Sequence, residues 1–87
     1  MDTEAGIQPS LTHHAVRKHS VRLFGHLTSI SLEEPFWQEL HRLADRHGLS
    51  LTRLIEQIDE ARTAEMTDGP GNLSSALRLY VLGEIMA

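Results

Sequence analysis

Apolar residues alternate with serines between Thr28 and Leu32, and this is the most regular pattern in the chain. A period of two predicts a short half-buried strand, from about His26 to Leu32. A weaker alternation over Ser20–Phe24 comes first and is interrupted by Gly25, which indicates a bulge or a turn. A lone strand leaves its backbone N–H and C=O groups unpaired, so we expect its partner strand to come from a second chain.

Two helices are predicted after this strand. The first runs from about Glu34 to Arg46, with Pro35 tolerated because it lies in the first turn and Gly48 as the C-terminal cap. The second begins at Ser50, a favourable N-cap, and fades between Thr63 and Thr67. Helical spacing assigns two buried faces: Phe36, Trp37, Leu40, Leu43 and Ala44 in the first helix, and Leu51, Leu54, Ile55, Ile58 and Ala61 in the second.

A third helix is predicted after the breaker Asp68-Gly69-Pro70-Gly71, with Asn72 as its cap and its end near Ile85. It is apolar almost all round, so it must be buried on more than one side. A chain of 87 residues offers little to cover it, which is a second indication of a subunit interface. The alternative is a hairpin of Ser20–Phe24 with the main strand, around a three-residue loop that contains Gly25. We prefer the dimer because such a hairpin would still leave the third helix largely exposed.

The length fits one small domain, a size at which dimerisation commonly supplies missing core. We expect residues 1–17 to form a flexible, basic, histidine-rich tail and residues 18–87 to form the domain. The chain has no cysteine, which excludes disulfides and thiolate metal sites. No apolar run has the length of a bilayer span, and the N-terminus lacks the regions of a signal peptide, so we expect a cytoplasmic protein.

Charge is distributed unevenly along the chain. The formal net charge is -4, which argues against nucleic acid as a partner. From His13 to Leu32, however, there are three cationic residues and no acid, whereas ten acids face five arginines from Glu33 onward. The local field decides where a polyanion docks, so the segment before and within the strand remains a candidate surface for DNA.

A short alternating strand, a helix with an early proline, the turn Gly48-Leu49-Ser50 and a second amphipathic helix together resemble the ribbon-helix-helix DNA-binding family, the class of the Arc and MetJ repressors. The segments Gly25–Glu33 (GHLTSISLE) and Asn72–Arg78 (NLSSALR) resemble a bacterial subfamily with an extra C-terminal helix. The resemblance implies a mainly α fold with one short strand per chain, in an intertwined homodimer whose two-stranded antiparallel ribbon enters the major groove. It also implies a transcriptional repressor, associated with the nucleoid when bound to DNA, whose dimers can assemble further there.

The resemblance carries site residues as well. The outward ribbon positions Leu27, Ser29 and Ser31 would contact bases, while Ile30 and Leu32 point inward. The subfamily often has a basic residue where Leu27 stands, and leucine offers a base only contact with a thymine methyl. Arg22 would join this face if Gly25 is a bulge, because a bulge reverses the face parity. Phosphate contacts are expected from the second helix's N-terminus and from basic residues before the ribbon: Ser50, Leu51, Thr52, Arg53, Arg17 and Lys18.

Other functions have weaker support in the sequence. His13 and His14 are adjacent and diverge on any regular element, so no metal site is expected. His41 and His47 are expected at the surface or at a cap, and Glu56, Asp59 and Glu60 on a solvated helix face. No nucleophile elbow or phosphate loop is present, so we expect neither enzymatic activity nor a cofactor. The rival to DNA binding is a protein-interaction module, such as an antitoxin or an accessory subunit, with little or no affinity for DNA.

Overall fold

The computed structural model describes residues 15–65 and 73–87, in which two strands are followed by three helices. The elements are β1 (Val16–Leu23), β2 (His26–Glu33), α1 (Glu34–Arg46), α2 (Leu51–Glu65) and α3 (Leu73–Met86). The bounds of α1 are those predicted, and α2 and α3 agree with their predictions within the stated ends. β1 begins two residues before the predicted start of the domain. The predicted tail up to residue 14, the breaker at residues 68–71 and the Asn72 cap lie outside the described residues.

The main strand pairs with the strand before it in the same chain. β1 and β2 form an antiparallel hairpin whose register runs from Leu23 opposite His26 to Val16 opposite Glu33. The prediction of a lone strand that needs a second chain is therefore wrong, and the hairpin named as its alternative is what the chain forms. Pairing between chains remains a prediction.

The hairpin turn has two residues, Phe24 and Gly25, rather than the three expected. Both have positive φ, 51° and 82°, as the central residues of a type I′ turn require. This turn matches the right-handed twist of the strands, whereas a type I or II turn would splay them apart. Gly25 is thus the second residue of the turn that follows β1, and it does not form a bulge within a strand.

Local signals fix the junction between α1 and α2. Gly48 has a φ of 70° after the last turn of α1. The N–H of Leu49 donates to the Ala44 carbonyl (2.9 Å) and the N–H of Gly48 to the Asp45 carbonyl (3.1 Å), which together form a Schellman motif. Ser50 then caps α2, because its Oγ accepts the Arg53 N–H at 3.0 Å. Both predicted caps are confirmed.

The core lies where the inner face of the hairpin meets the three helices. Ile30 and Leu32 point inward from β2, as predicted, and Leu23 joins them from β1. The predicted faces of α1 and α2 are buried in large part, whereas Phe36 and Leu51 are only partly covered and Ala61 is exposed. The helices contribute nine buried side chains to this core: Trp37, Leu40, Leu43, Ala44, Leu54, Ile55, Ile58, Leu77 and Val81.

Among residues 15–65 and 73–87, α3 is covered on one side only. Leu77 and Val81 are buried, and the predicted burial of the other side of this helix by a second chain remains a prediction. Its opposite side forms an exposed apolar stripe: Leu79 (64% exposed), Leu82 (43%), Ile85 (60%) and Met86 (81%).

A histidine on the hairpin's inner face packs against α1. The ring of His19 stacks on Trp37 with the centroids 3.9 Å apart and the planes 12° from parallel. His19 Nε2 also lies 3.4 Å from Glu34 Oε1, and neither atom hydrogen-bonds to any described residue. His41 meets the Trp37 ring edge-on at 5.8 Å. Trp37 is therefore a core residue, as predicted, and it connects β1 to α1.

Candidate nucleic-acid interface

One face of the hairpin is open to solvent along most of its length. Residues that stand directly opposite each other in an antiparallel pair lie on the same face, and three such pairs consist of exposed residues only: Lys18 with Ser31, Ser20 with Ser29, and Arg22 with Leu27. We call these six residues the ribbon face. Leu27, Ser29 and Ser31 are on it as expected, and Arg22 is opposite Leu27, placed there by the turn and not by a bulge.

The ribbon face carries positive charge and small hydroxyls. Lys18 and Arg22 supply its charge, and three serines keep its surface low, so another molecule can approach the backbone closely. Leu27 is the apolar exception, with 71% of its side chain exposed. Arg22 donates one hydrogen bond within the hairpin, from Nη1 to the Gly25 carbonyl at 3.1 Å. A guanidinium has five N–H donors, so this bond leaves others to face a ligand.

An acid at the end of the ribbon is neutralised by α3. Glu33 stands beyond the ribbon face, opposite Val16. Arg78 donates to both of its carboxylate oxygens, from Nε at 2.8 Å and from Nη2 at 3.2 Å. These hydrogen bonds, helped by the charge of the guanidinium, hold the pKa of the Glu33 carboxyl below its ordinary value. The ribbon therefore keeps a positive field although an acid lies beside it.

α3 also binds the backbone of β2. The hydroxyl of Ser74 donates to the Ser31 carbonyl at 2.6 Å. This bond joins residues 43 positions apart in sequence and lies next to the Glu33–Arg78 pair. Together the two contacts, which we call the α3 clasp, fix the C-terminal end of β2 relative to the helices.

α2 holds the other end of the ribbon. The backbone N–H of Phe24, at the tip of the hairpin, donates to Glu56 Oε2 at 2.8 Å. Arg53 Nη1 lies 3.4 Å from the second oxygen of the same carboxylate. Glu56 was expected on a solvated face, and that expectation is wrong, because its side chain binds the turn. The ribbon is thus anchored at both ends.

The N-terminus of α2 has fewer free backbone N–H groups for an anion than expected. The N–H of Arg53 is occupied by the Ser50 hydroxyl, and the N–H of Leu54 by the Ser50 carbonyl at 3.0 Å. The amides that remain for a phosphate are those of Leu51 and Thr52. The Arg53 side chain is exposed but shares its charge with Glu56, so it is a weaker cation than the sequence suggested.

Arg17 and Lys18, expected to act together on phosphate, lie on opposite faces of the hairpin. Arg17 stands opposite the buried Leu32 but is itself exposed near the open end of the strands. Lys18 stands opposite Ser31 on the ribbon face. The two cations therefore cannot both contact a molecule that binds to one face of the hairpin from directly above.

Four residues that shape this surface were not found from the sequence. Ser20 is on the ribbon face because of the register, whereas Glu56, Ser74 and Arg78 support the ribbon from the helices. The register follows from the turn, so Phe24-Gly25 read as a two-residue hairpin loop would have revealed Ser20. The other three lie more than 30 positions from their partners, and no local pattern signals such contacts.

The histidines expected outside any site behave as expected where they are described. His41 is exposed, and His47 caps α1 and lies 3.7 Å from Glu84 across to α3. Within residues 15–65 and 73–87, no three histidine, aspartate or glutamate side chains converge to hold a metal ion. His13 and His14 are outside that range. The helices of the described part are too short or too polar to cross a membrane.

Comparison with known proteins places the chain among proteins of similar architecture. The family model described as "Ribbon-helix-helix domain" matches residues 16–85, from the first residue of β1 almost to the end of α3. The solved structure of an uncharacterized protein from Bordetella pertussis Tohama I is 33% identical, with a TM-score of 0.73. The match covers 95% of this chain but 66% of that one, so the chain spans just under two thirds of its length. A search of curated proteins found no match.

Proposed function

Because the chain belongs to the ribbon-helix-helix family, we propose that it is a small dimeric transcriptional regulator that binds specific DNA sequences by inserting its β-ribbon into the major groove. As a class, ribbon-helix-helix domains bind DNA and form dimers. The observation that carries the proposal is the ribbon face: a two-stranded antiparallel ribbon with exposed cations and hydroxyls, anchored at both ends. A two-stranded ribbon has the width that the major groove admits.

The ribbon face can supply the base contacts. Ser29 and Ser31 have hydroxyls that both donate and accept, so they can bond to donor and acceptor edges of bases. Arg22 can bond to the O6 and N7 acceptors of guanine, and Leu27 can pack against a thymine methyl. Four base contacts are therefore proposed, with Arg22 as the most selective of them.

Phosphate contacts would come from outside the ribbon face. The free amides of Leu51 and Thr52 at the N-terminus of α2 can bind an anion without a cationic side chain. Arg53 lies beside them, and Ser50 caps the helix through the Arg53 N–H. Arg17, exposed on the other side of the hairpin, adds an ionic contact. These contacts position the ribbon but carry no sequence information of their own.

The test replaces the two outward serines of β2 by glutamate. S29E/S31E places two carboxylates against the DNA, so binding to fragments that include the protein's own promoter is expected to disappear at both about 50 and about 200 mM salt. Fluorescence anisotropy measures the binding, and circular dichroism checks that the fold is retained. The two salt concentrations separate specific binding from the salt-sensitive attraction to any DNA.

The matched control adds the same charge elsewhere. Gln38 on α1 and Gln57 on α2 are both exposed, and Q38E/Q57E changes the net charge as much as the test variant does. This control is expected to bind DNA nearly as well as the wild type. Undiminished binding by folded S29E/S31E would remove the ribbon from the proposed interface.

The exposed stripe of α3 supports the proposed homodimer. Its four apolar residues form a contiguous patch, of the kind that marks an interaction surface. Leu79 also lines a cavity of about 300 Å³ between α2 and α3, so the stripe continues into a recess that a partner side chain can fill. Because ribbon-helix-helix domains form dimers as a class, we propose that a second copy of this chain covers the stripe and fills the recess.

The same stripe favours the rival function, a protein-interaction module that uses the fold only as a scaffold. The net negative charge and the exposed Leu27 agree with it. The DNA-binding measurement separates the two functions. If the wild type fails to bind genomic fragments at low salt, the interaction module is the better description.

A further inference from the structure

We propose that Phe24, at the tip of the hairpin, packs its ring against the apolar face of a deoxyribose in the DNA backbone, beside a phosphate bound at the N-terminus of α2. Phe24 would then help to fix the position of the protein on the duplex without reading its sequence. The contact rests on the proposed DNA binding, and it lies outside both the ribbon face and the phosphate contacts named above.

The backbone of Phe24 is the first support. Its φ of 51° is one that bulky residues rarely adopt, and the first central position of a type I′ turn favours asparagine or glycine. The turn therefore does not require phenylalanine and is destabilised by it. Strained residues of this kind cluster at ligand-binding sites, where the side chain is needed for the contact.

The ring of Phe24 is the second support. It is 48% exposed, and it does not belong to the hydrophobic core formed by the described residues. Packing within the described part of the chain therefore does not compensate for the strain in the turn. An aromatic ring brings a large apolar area to a contact, and this one is open to another molecule.

The position of the tip is the third support. Glu56 Oε2 accepts the Phe24 N–H at 2.8 Å, so the tip of the hairpin is held against α2. Glu56 comes four residues after Thr52, which corresponds to about 6 Å along the helix axis. The free amides of Leu51 and Thr52 thus lie about one helical turn from the residue that holds the tip. A phosphate bound to these amides would bring the adjoining sugar beside Phe24.

The charges around the tip indicate a nucleic-acid backbone as the partner rather than an apolar protein surface. Arg22 donates to the Gly25 carbonyl at 3.1 Å, so its guanidinium lies beside the turn. Arg53 Nη1 lies 3.4 Å from Glu56 Oε1 and balances the carboxylate that holds the tip. An apolar ring is therefore flanked by two cations. The backbone of DNA alternates anionic phosphates with sugars, and it matches both features.

Phe24 keeps its place if a second chain pairs with β2. It lies in the turn, outside the bounds of both strands. A strand added at the free edge of β2 would leave Phe24 at the end of the ribbon, near the margin of the groove, where sugars and phosphates line it. The contact is therefore compatible with a ribbon that takes its strands from two subunits.

Replacement of Phe24 by asparagine tests the contact. F24N removes the ring but suits the positive φ, so we expect a folded protein whose affinity for promoter and random duplexes falls alike, about fivefold at fixed salt. F24Y keeps the ring and should retain the affinity of the wild type. Fluorescence anisotropy measures affinity, and urea unfolding measures stability. A side chain that only supported the fold would lose both together, whereas F24N should gain stability and lose affinity.

Val16 supplies the matched control. It is a similarly exposed apolar residue (53%) of the same hairpin, at the opposite end of β1 from the turn. V16N should bind DNA as the wild type does. Unchanged affinity of F24N, or an equal loss of affinity in V16N, would overturn the proposal.

Fluorine NMR observes the ring itself. The chain has two phenylalanines, Phe24 and Phe36, so labelling with fluorophenylalanine gives two signals, and F24Y assigns them. Addition of duplex DNA should shift the Phe24 signal, whereas the signal of Phe36, which is partly buried against the core, should stay in place. A Phe24 signal that does not move in the saturated complex would also overturn the proposal.

The proposed function and the Phe24 contact fail in different ways. Absence of DNA binding by the wild type at low salt would reject both. DNA binding that S29E/S31E abolishes but F24N leaves unchanged would reject the Phe24 contact alone.

Discussion

At the scale of single residues, the surface depends on a few long-range polar contacts. Glu56 receives the N–H of the turn, and Arg78 neutralises the acid that would otherwise weaken the field of the ribbon. The Glu33–Arg78 pair is bidentate and partly shielded from solvent, so it is more directional than an ordinary surface ion pair. Its effect on Glu33 is open to direct measurement.

Replacement of Arg78 by glutamine should release the Glu33 carboxyl. In the wild type the folded pKa of Glu33 is lowered, so the contribution to stability is present above the unfolded value of about 4.3 and is lost as pH falls through the folded value. In R78Q the pKa of Glu33 should return toward its ordinary value, and stability at pH 7 should fall by up to about 1 kcal/mol. NMR titration of the Glu33 carboxyl carbon and urea unfolding measure the two effects.

The control variant removes a different arginine. Arg42 hydrogen-bonds to Glu39 on α1 and lowers the pKa of that carboxyl, remote in sequence from the ribbon. R42Q should therefore leave the titration of Glu33 unchanged. Equal titration of Glu33 in R78Q and in the wild type would mean that the hydrogen bonds from Arg78 do not stabilise its charge.

At the scale of elements, the hairpin combines a regular ribbon with an unfavourable turn residue. Type I′ turns favour asparagine or glycine at the first central position, because φ is positive there, and a bulky side chain at that position is strained. Phe24 occupies it with a φ of 51° and leaves about half of its ring exposed. The backbone at Phe24 is therefore strained, at the tip of the hairpin that we propose contacts DNA.

Replacement of Phe24 by asparagine should stabilise the protein. F24N keeps the turn and its bond to Glu56, and it is expected to exceed F24A in unfolding free energy by about 1 kcal/mol, since alanine has the same positive-φ penalty. The comparison with F24A separates relief of strain from loss of the aromatic ring. Thermal and urea unfolding would check it, and equal stability of F24N and F24A would refute the strain at this turn.

The helices were predictable from local residues, whereas β1 was predicted only over its second half and its contacts with the helices were not predicted. Pro35, Gly48 and Ser50 are start and stop signals that act within one turn, so the ends of α1 and the start of α2 agree with prediction. The inner face of β1 includes Arg17 and His19, which hide its alternation. His19 is placed by its stack on Trp37, a contact set by the tertiary fold and absent from any local window.

At the scale of the whole molecule, the ribbon face and the apolar stripe of α3 are two separate exposed surfaces. The hairpin pairs one edge of β2 within the chain, and pairing of the other edge with a second chain remains a prediction. The stripe is a separate reason to expect a dimer, because four large apolar side chains of α3 are left exposed by the part of the chain that the structure describes. We therefore expect the stripe to contribute to the proposed dimer and the ribbon face to contribute to the proposed DNA contact.

Two leucine-to-glutamate variants should separate these surfaces. L82E adds a charge to the stripe and is expected to sediment as a monomer at concentrations where the wild type is a dimer. L27E adds the same charge to the even more exposed Leu27 and is expected to remain a dimer while it loses DNA binding. Analytical ultracentrifugation and anisotropy measure the two properties. Dissociation of L27E, or a stable dimer of L82E, would place the subunit interface at the ribbon.

The α3 clasp has a consequence for how the chain is made. The hairpin involves neighbouring residues and closes within about 1–10 μs once both strands are available. Arg78, however, is 45 residues after Glu33. At about 5–20 residues per second, synthesis delivers Arg78 roughly 2–9 s later. For those seconds the hairpin of the nascent chain can be formed while the Glu33 carboxylate still lacks its arginine partner, so the α3 clasp closes only after α3 has been synthesised.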